Sequence, residues 1–188
     1  MTRGNGHASR LTVAALAAMA LLMSAVAPAT AAVKPCKDRL AHPADTGSKA
    51  IKQATLCLLN KRRKAHGRRA LRGNQRLAKA ARIHAADMVQ RKYFSHTAPG
   101  GVSFVDRIMR QDYVNPGQGW TLGENIAWGS YGLATPKSIV RSWMHSPGHR
   151  ANILNPRFRE IGIGVVRGAP QSGTGNAATY ATSFGTRF

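Results

Sequence analysis

Three short stretches of this 188-residue chain carry side chains that could do chemistry. His96 follows Tyr93-Phe94-Ser95, Glu124 stands between Gly123 and Asn125, and His149 follows Ser146-Pro147-Gly148. Imidazole titrates nearest neutrality, and a carboxylate beside it can act as base, orienting group or metal ligand. Glu124 is one of two glutamates among only 7 acidic residues. The intervals between the three are long, so no local metal-ligand pattern is satisfied. The chain has no Gly-x-Ser-x-Gly elbow, no His-Glu-x-x-His pair and no cysteine in a nucleophile setting. Ser146, three residues before His149, invites a Ser-His reading, but no third orienting group is visible. Its simpler role is to cap or fill the turn before Pro147. Asn125 and His145 are second choices for the same site. His84 lies on an apolar helical stripe and reads as a core or boundary histidine.

The elements that must position these residues follow from periodicity. Thr135 and Pro136 supply an N-cap and a first-turn proline, and Ile139, Val140, Trp143 and Met144 recur at helical spacing. Pro147 and Gly148 are expected to stop that helix and throw His149 off its end. Upstream, Ser48 is expected to cap a helix carrying Ile51, Ala54, Thr55, Leu58 and Leu59, ending near Gly67. Asn74 caps a second helix through Leu77, Ala80, Ala81, His84, Ala85 and Met88, ending near Lys92. Ser103 with Asp106 resembles a capping box for a short helix. The glycine before Glu124 permits a tight turn. Residues 161–166 alternate as a strand with glycines on one face, where something must pack close, and residues 178–184 return beside them. Helices first and strands last point to an α+β class.

The stretch from Trp143 to Leu154, Trp-Met-His-Ser-Pro-Gly-His-Arg-Ala-Asn-Ile-Leu, closely resembles the signature of bacterial CAP (SCP-like) domains. CAP stands for cysteine-rich secretory proteins, antigens and pathogenesis-related proteins. The resemblance covers roughly residues 56–185 and includes Leu-Leu-Asn-Lys-Arg-Arg (58–63), Phe-Ser-His-Thr (94–97), Gly-Glu-Asn-Ile-Ala-Trp-Gly (123–129) and Phe-Arg-Glu-Ile-Gly-Ile-Gly (158–164). It implies an α-β-α sandwich, a small antiparallel sheet flanked by helices. It also implies a cleft lined by His96, Glu124, Asn125, Ser146 and His149. A second acid usually follows a Trp-x-x-Glu pattern in the family; here Ser146 stands in that place. Two neutral imidazoles and one carboxylate, His96, Glu124 and His149, would suit an open Zn²⁺ site with a fourth position for water or substrate. Without metal the same trio could do acid–base work, or simply hold the cleft walls together.

Bulk properties bound the setting. Residues 1–31 read as a signal peptide: Arg3 and Arg10, an apolar run from Leu11 to Ala27, then Ala29-Thr30-Ala31 as a cleavage site. As a helix that run would span roughly 26 Å, short of the ~30 Å apolar core of a bilayer. Residues 32–50 would be a tail and residues 51–188 a single CAP domain. Cys36 and Cys57 allow one bridge in an oxidising destination, worth about 3 kcal/mol, or stay as two thiols. Removing Arg3 and Arg10 from the 28 basic residues leaves 26 against 7 acids, net +19. Such a field attracts anionic envelope polymers or lipid surfaces, with no motif for specific nucleic acid recognition. Much of it clusters at Lys61, Arg62, Arg63, Lys64, Arg68, Arg69 and Arg72. The leading expectation is a secreted or envelope-associated binding module whose cleft takes a small, lipid-like ligand. The rival is a zinc-dependent hydrolase of peptide or wall-derived substrates. A cationic membrane-acting toxin is a third reading, disfavoured by the globular pattern.

Overall fold

The structure is a computed structural model that describes residues 1–2 and 34–188. The signal-peptide reading, apart from residues 1–2, lies outside the described residues. Residues 35–188 form the compact unit that contains the site. Cys36 and Cys57 are joined, Cα to Cα 5.9 Å, tying the tail to helix α1 (Ser48–Ala65). The helix starts one residue earlier than a Ser48 cap would require: Gly47 takes the N-cap position and no side chain caps it.

The remaining elements are β1 (Arg72–Gly73), α2 (Gln75–Arg91), α3 (Phe104–Met109), β2 (Trp120–Ser130), a 3₁₀ turn (Tyr131–Ala134), α4 (Pro136–His145), α5 (Pro147–Leu154), β3 (Glu160–Arg167) and β4 (Ala177–Arg187). The sheet order is β1-β3-β4-β2, with β3 and β2 antiparallel to β4 and the short β1 parallel to β3. Helix α2 covers one face, and α1, α4 and α5 gather on the other. This is the expected α-β-α sandwich. Asn74 caps α2 by accepting from Arg76 and Leu77 N–H, and α3 opens with the reciprocal Ser103–Asp106 box.

The glycines of β3 explain how closely α2 approaches. A Cβ on Gly162 would lie 1.9 Å from the carbonyl carbon of Leu77, and one on Gly164 would lie 2.4 Å from that of Ala81. The alternate residues Ile161, Ile163 and Val165 face the other way into the main core, with Leu59, Trp143, Tyr180 and Phe184. Two features differ from the sequence expectation. Gly123 does not make a turn: it sits inside β2, where Phe158 packs against the space a side chain would fill, 2.8 Å from an added Cβ. Pro147 and Gly148 do not throw His149 clear. Ser146 breaks the chain at φ −98°, ψ 119°, and Pro147 then opens α5, with His149 in its first turn. A proline at the first helical position forfeits no internal hydrogen bond, which is why the same residue ends α4 and starts α5.

Gly162→Ala is expected to destabilise the domain by at least ~2 kcal/mol, because backbone rather than a flexible side chain stands in the way. Gly148→Ala, with open space around its Cβ and a helical setting, should be neutral or slightly stabilising. Urea midpoints of the two variants against the parent check both.

Candidate functional site

β2 is an edge strand, paired only with β4, and its free edge would be a row of unsatisfied carbonyls. Helices α4 and α5 close that edge with side chains. Trp143 Nε1 donates to Ile126 O at 3.1 Å, and Asn152 Nδ2 donates to Glu124 O at 3.0 Å. Asn152 also donates to Asn125 Oδ1, and Asn125 Nδ2 donates to the carbonyl of His149 at 3.1 Å. Asn125 is therefore fully buried and spent on holding α5 against β2.

Glu124, its neighbour in the strand, points to the opposite sheet face. Its side chain is 2% exposed. Arg107 of α3 places one guanidinium nitrogen, Nη2, 2.8 Å from Oε2 and 3.1 Å from Oε1. The same nitrogen donates to His96 O at 2.8 Å, and Nη1 to Val102 O at 3.0 Å, so one arginine fixes the carboxylate and the loop before α3 together. His96 Nδ1–H donates to Glu124 Oε1 at 2.9 Å, with the ring half exposed. That hydrogen bond sets the tautomer and leaves Nε2 as the free nitrogen.

Two contributors were not legible as site residues. Arg107 lies in a six-residue helix whose apolar neighbours point toward packing. His84 is a core histidine, as expected, yet it backs the site: its ring is completely buried and Nε2 lies 3.8 Å from Glu124 Oε1 without a hydrogen-bond partner. Burial holds the His84 pKa below its ordinary value; Glu124 opposes that shift and Arg107 adds to it. Tyr93 donates to Asp87 and lies 3.4 Å from His84 Nδ1, with its own pKa raised chiefly by burial.

His149, half-buried, sits across the edge strand. Its Nδ1 lies 2.8 Å from Ser146 Oγ, so Ser146 engages the histidine rather than capping α5. Burial, and secondarily the nearby charge of His96, hold its pKa below the ordinary value. His145 is exposed and bonds Arg141 O, outside this cluster. With both Nδ1 atoms engaged, the ring nitrogens left over are Nε2 of His96 and Nε2 of His149. Glu124 stands behind His96 as an orienting group, its oxygens committed to Arg107 and the ring. A catalytic zinc site draws on three protein ligands. Among the described residues no group of three His, Cys, Asp or Glu is placed to hold a metal. The zinc trio expected from the sequence does not fit this arrangement.

Residues 56–182 match the family described as the cysteine-rich secretory protein family, CAP. The chain belongs to the CAP family. It is 37% identical over 140 residues to the uncharacterized protein YkwD of Bacillus subtilis (strain 168), an alignment covering 74% of this chain and 50% of that relative. It is also similar in structure to an extracellular SCP-domain protein of Bacillus anthracis str. Ames, with TM-score 0.56 and 27% identity over 74% of this chain and 43% of the other. An outer surface protein of Borrelia burgdorferi shares the fold at TM-score 0.63 and 21% identity, covering 76% of this chain and 97% of that one. The chain thus spans half or less of the length of its Bacillus relatives. No helix among the described residues of this CAP protein is long and apolar enough to cross a membrane.

The buried carboxylate generates two predictions. Arg107→Met strands Glu124 without its partner and should cost about 3–5 kcal/mol in urea unfolding, part of which Arg107→Met with Glu124→Gln recovers. Histidines kept neutral by the fold protonate first in the unfolded chain. Stability should therefore be full above pH 6.5, the ordinary value, and fall as pH drops below it. His84→Met should flatten that slope, measured as urea midpoint against pH, by removing one of the two histidines.

Proposed function

We propose that this chain is a CAP-domain binding module of the cell envelope or extracellular space, with a cleft at His96, Glu124 and His149 and a cationic surface. The carrying observation is the state of Glu124: buried, clamped by Arg107 and bonded to His96, it orients a ring instead of serving as a free base or ligand. A cleft presenting two imidazole nitrogens over a fixed framework suits recognition of a small ligand, with the rings as hydrogen-bonding groups. The extracellular setting of the Bacillus anthracis relative and the signal-peptide-like start of the chain support export. The net charge of +21 supports docking on an anionic partner.

The alternative, a zinc-dependent hydrolase of peptide or wall-derived substrate, needs a third ligand that Glu124 could supply only by leaving Arg107. Calorimetric zinc titration of the metal-stripped protein, beside His149→Ala, separates the two. The expected result is no sub-micromolar one-to-one binding in either protein. Sub-micromolar binding that disappears in His149→Ala would overturn the binding-module reading in favour of the hydrolase.

A further inference from the structure

The exposed face of α4 adjoins the site just described only at Ser146. Ser138, Arg141, Ser142 and His145 fall at helical spacing on it and, with Trp128 of β2 and Leu133 of the 3₁₀ turn, line a groove of about 710 Å³. A second depression, of about 310 Å³, shares Ser138 and Arg141 with the first and adds Lys137. A third, of about 450 Å³, shares His145 and adds Arg68 and Arg150. The shared residues place the three depressions next to one another, a track along α4 and onto α5. Helix α4 alone is about 15 Å long, so the track matches several units of a polymer better than one small molecule.

The lining chemistry narrows the polymer. Lys137, Arg141, Arg150 and Arg68 are all exposed, and none of the 7 acidic residues lines any part of the track. Their charges are therefore uncompensated there, and they select an anion. Trp128 is half-buried at the wall, whereas Trp143 is sunk in the core with its indole N–H bonded to Ile126 O. A partly exposed indole offers a flat apolar surface. Ser142, exposed on α4, adds a hydroxyl that can both donate and accept, as sugar hydroxyls do, whereas those of Ser138 and Ser146 are bonded to Gly132 O and His149 Nδ1. Single-stranded nucleic acid is held by aromatic side chains on which successive bases stack, and this track presents a single tryptophan.

We propose that the α4 track binds an acidic polysaccharide, with a sugar ring on Trp128, a hydroxyl on Ser142 and carboxylate or phosphate groups on Arg141, Arg150 and Arg68. The proposal rests on the envelope-binding reading and names the anionic partner, but its charged and aromatic residues lie outside the cleft, which the track touches only at Ser146. The zinc titration reads the cleft alone, so the two can fail independently.

The test is calorimetric titration of the chain with a hexameric oligogalacturonate, beside neutral maltohexaose, an oligo-dT strand and phosphatidylglycerol vesicles, at about 0.15 M salt. The expected result is binding of the acidic oligosaccharide at least tenfold tighter than the neutral one. Trp128→Ala, Arg141→Ala and Ser142→Glu should each weaken it at least fivefold, and Arg82→Ala, removing an exposed cation on α2, should leave it within twofold. If Trp128→Ala fails to fold, the two variants at exposed α4 positions carry the test. No binding, equal loss in Arg82→Ala, or no loss in the α4 variants would overturn the track. Tighter binding of the oligo-dT or the vesicles with the same variant losses would overturn the polysaccharide in favour of nucleic acid or membrane.

Discussion

A carboxylate removed from water must be compensated, and in this chain one arginine does it. Glu124 is held by Arg107 Nη2 and by His96, and Arg107 also takes the carbonyls of His96 and Val102. The pair thereby couples three separate segments: the edge strand β2, the loop bearing His96 and the short helix α3. An ion pair at this depth contributes little net stability relative to an apolar replacement, yet breaking it on one side is costly. Its consequence is placement. The orientation of the His96 ring depends on the Glu124 carboxylate being fixed.

That placement depends on how the sheet is packed. Because Gly162 and Gly164 let the α2 backbone approach β3 closely, α2 delivers His84 directly behind Glu124. On the other face, α5 is anchored by Asn152 and Asn125, which bring the His149 backbone against β2. Arg63 of α1 secures the far end of the same region. Fully buried, it donates to the carbonyls of Arg69, Ile153, Asn155 and Phe158. One member of the basic cluster at the end of α1 is thus internal scaffolding, and the surface charge is carried by its neighbours.

The elements with strong periodic or capping signals were legible in the sequence. The α2 cap at Asn74, the Ser103–Asp106 box, the glycine face of β3 and the return strand β4 all lie where residue types require them. The bridge between Cys36 and Cys57 followed from an even pair. Less legible was anything decided by tertiary contact. Gly123 looks like a turn residue and is a strand residue, because the reason for glycine is the ring of Phe158, a residue 35 positions away. Pro147 can end a helix or begin one, and only the Ser146 backbone between them shows that it does both. Arg107 could not be distinguished from the other 27 cations, since its partner lies in a different element.

His96 and His149 are not equivalent, and the difference traces to a single position. His96 gives its Nδ1 hydrogen to a carboxylate, which fixes the ring and turns Nε2 outward. His149 has Ser146 in the corresponding place, and a hydroxyl can bond the ring without offsetting a proton's charge. Burial then acts unopposed on His149, and the neighbouring His96 acts in the same direction, so His149 stays neutral below its ordinary pKa. One imidazole is thus fixed by a carboxylate and the other kept readily neutral by burial.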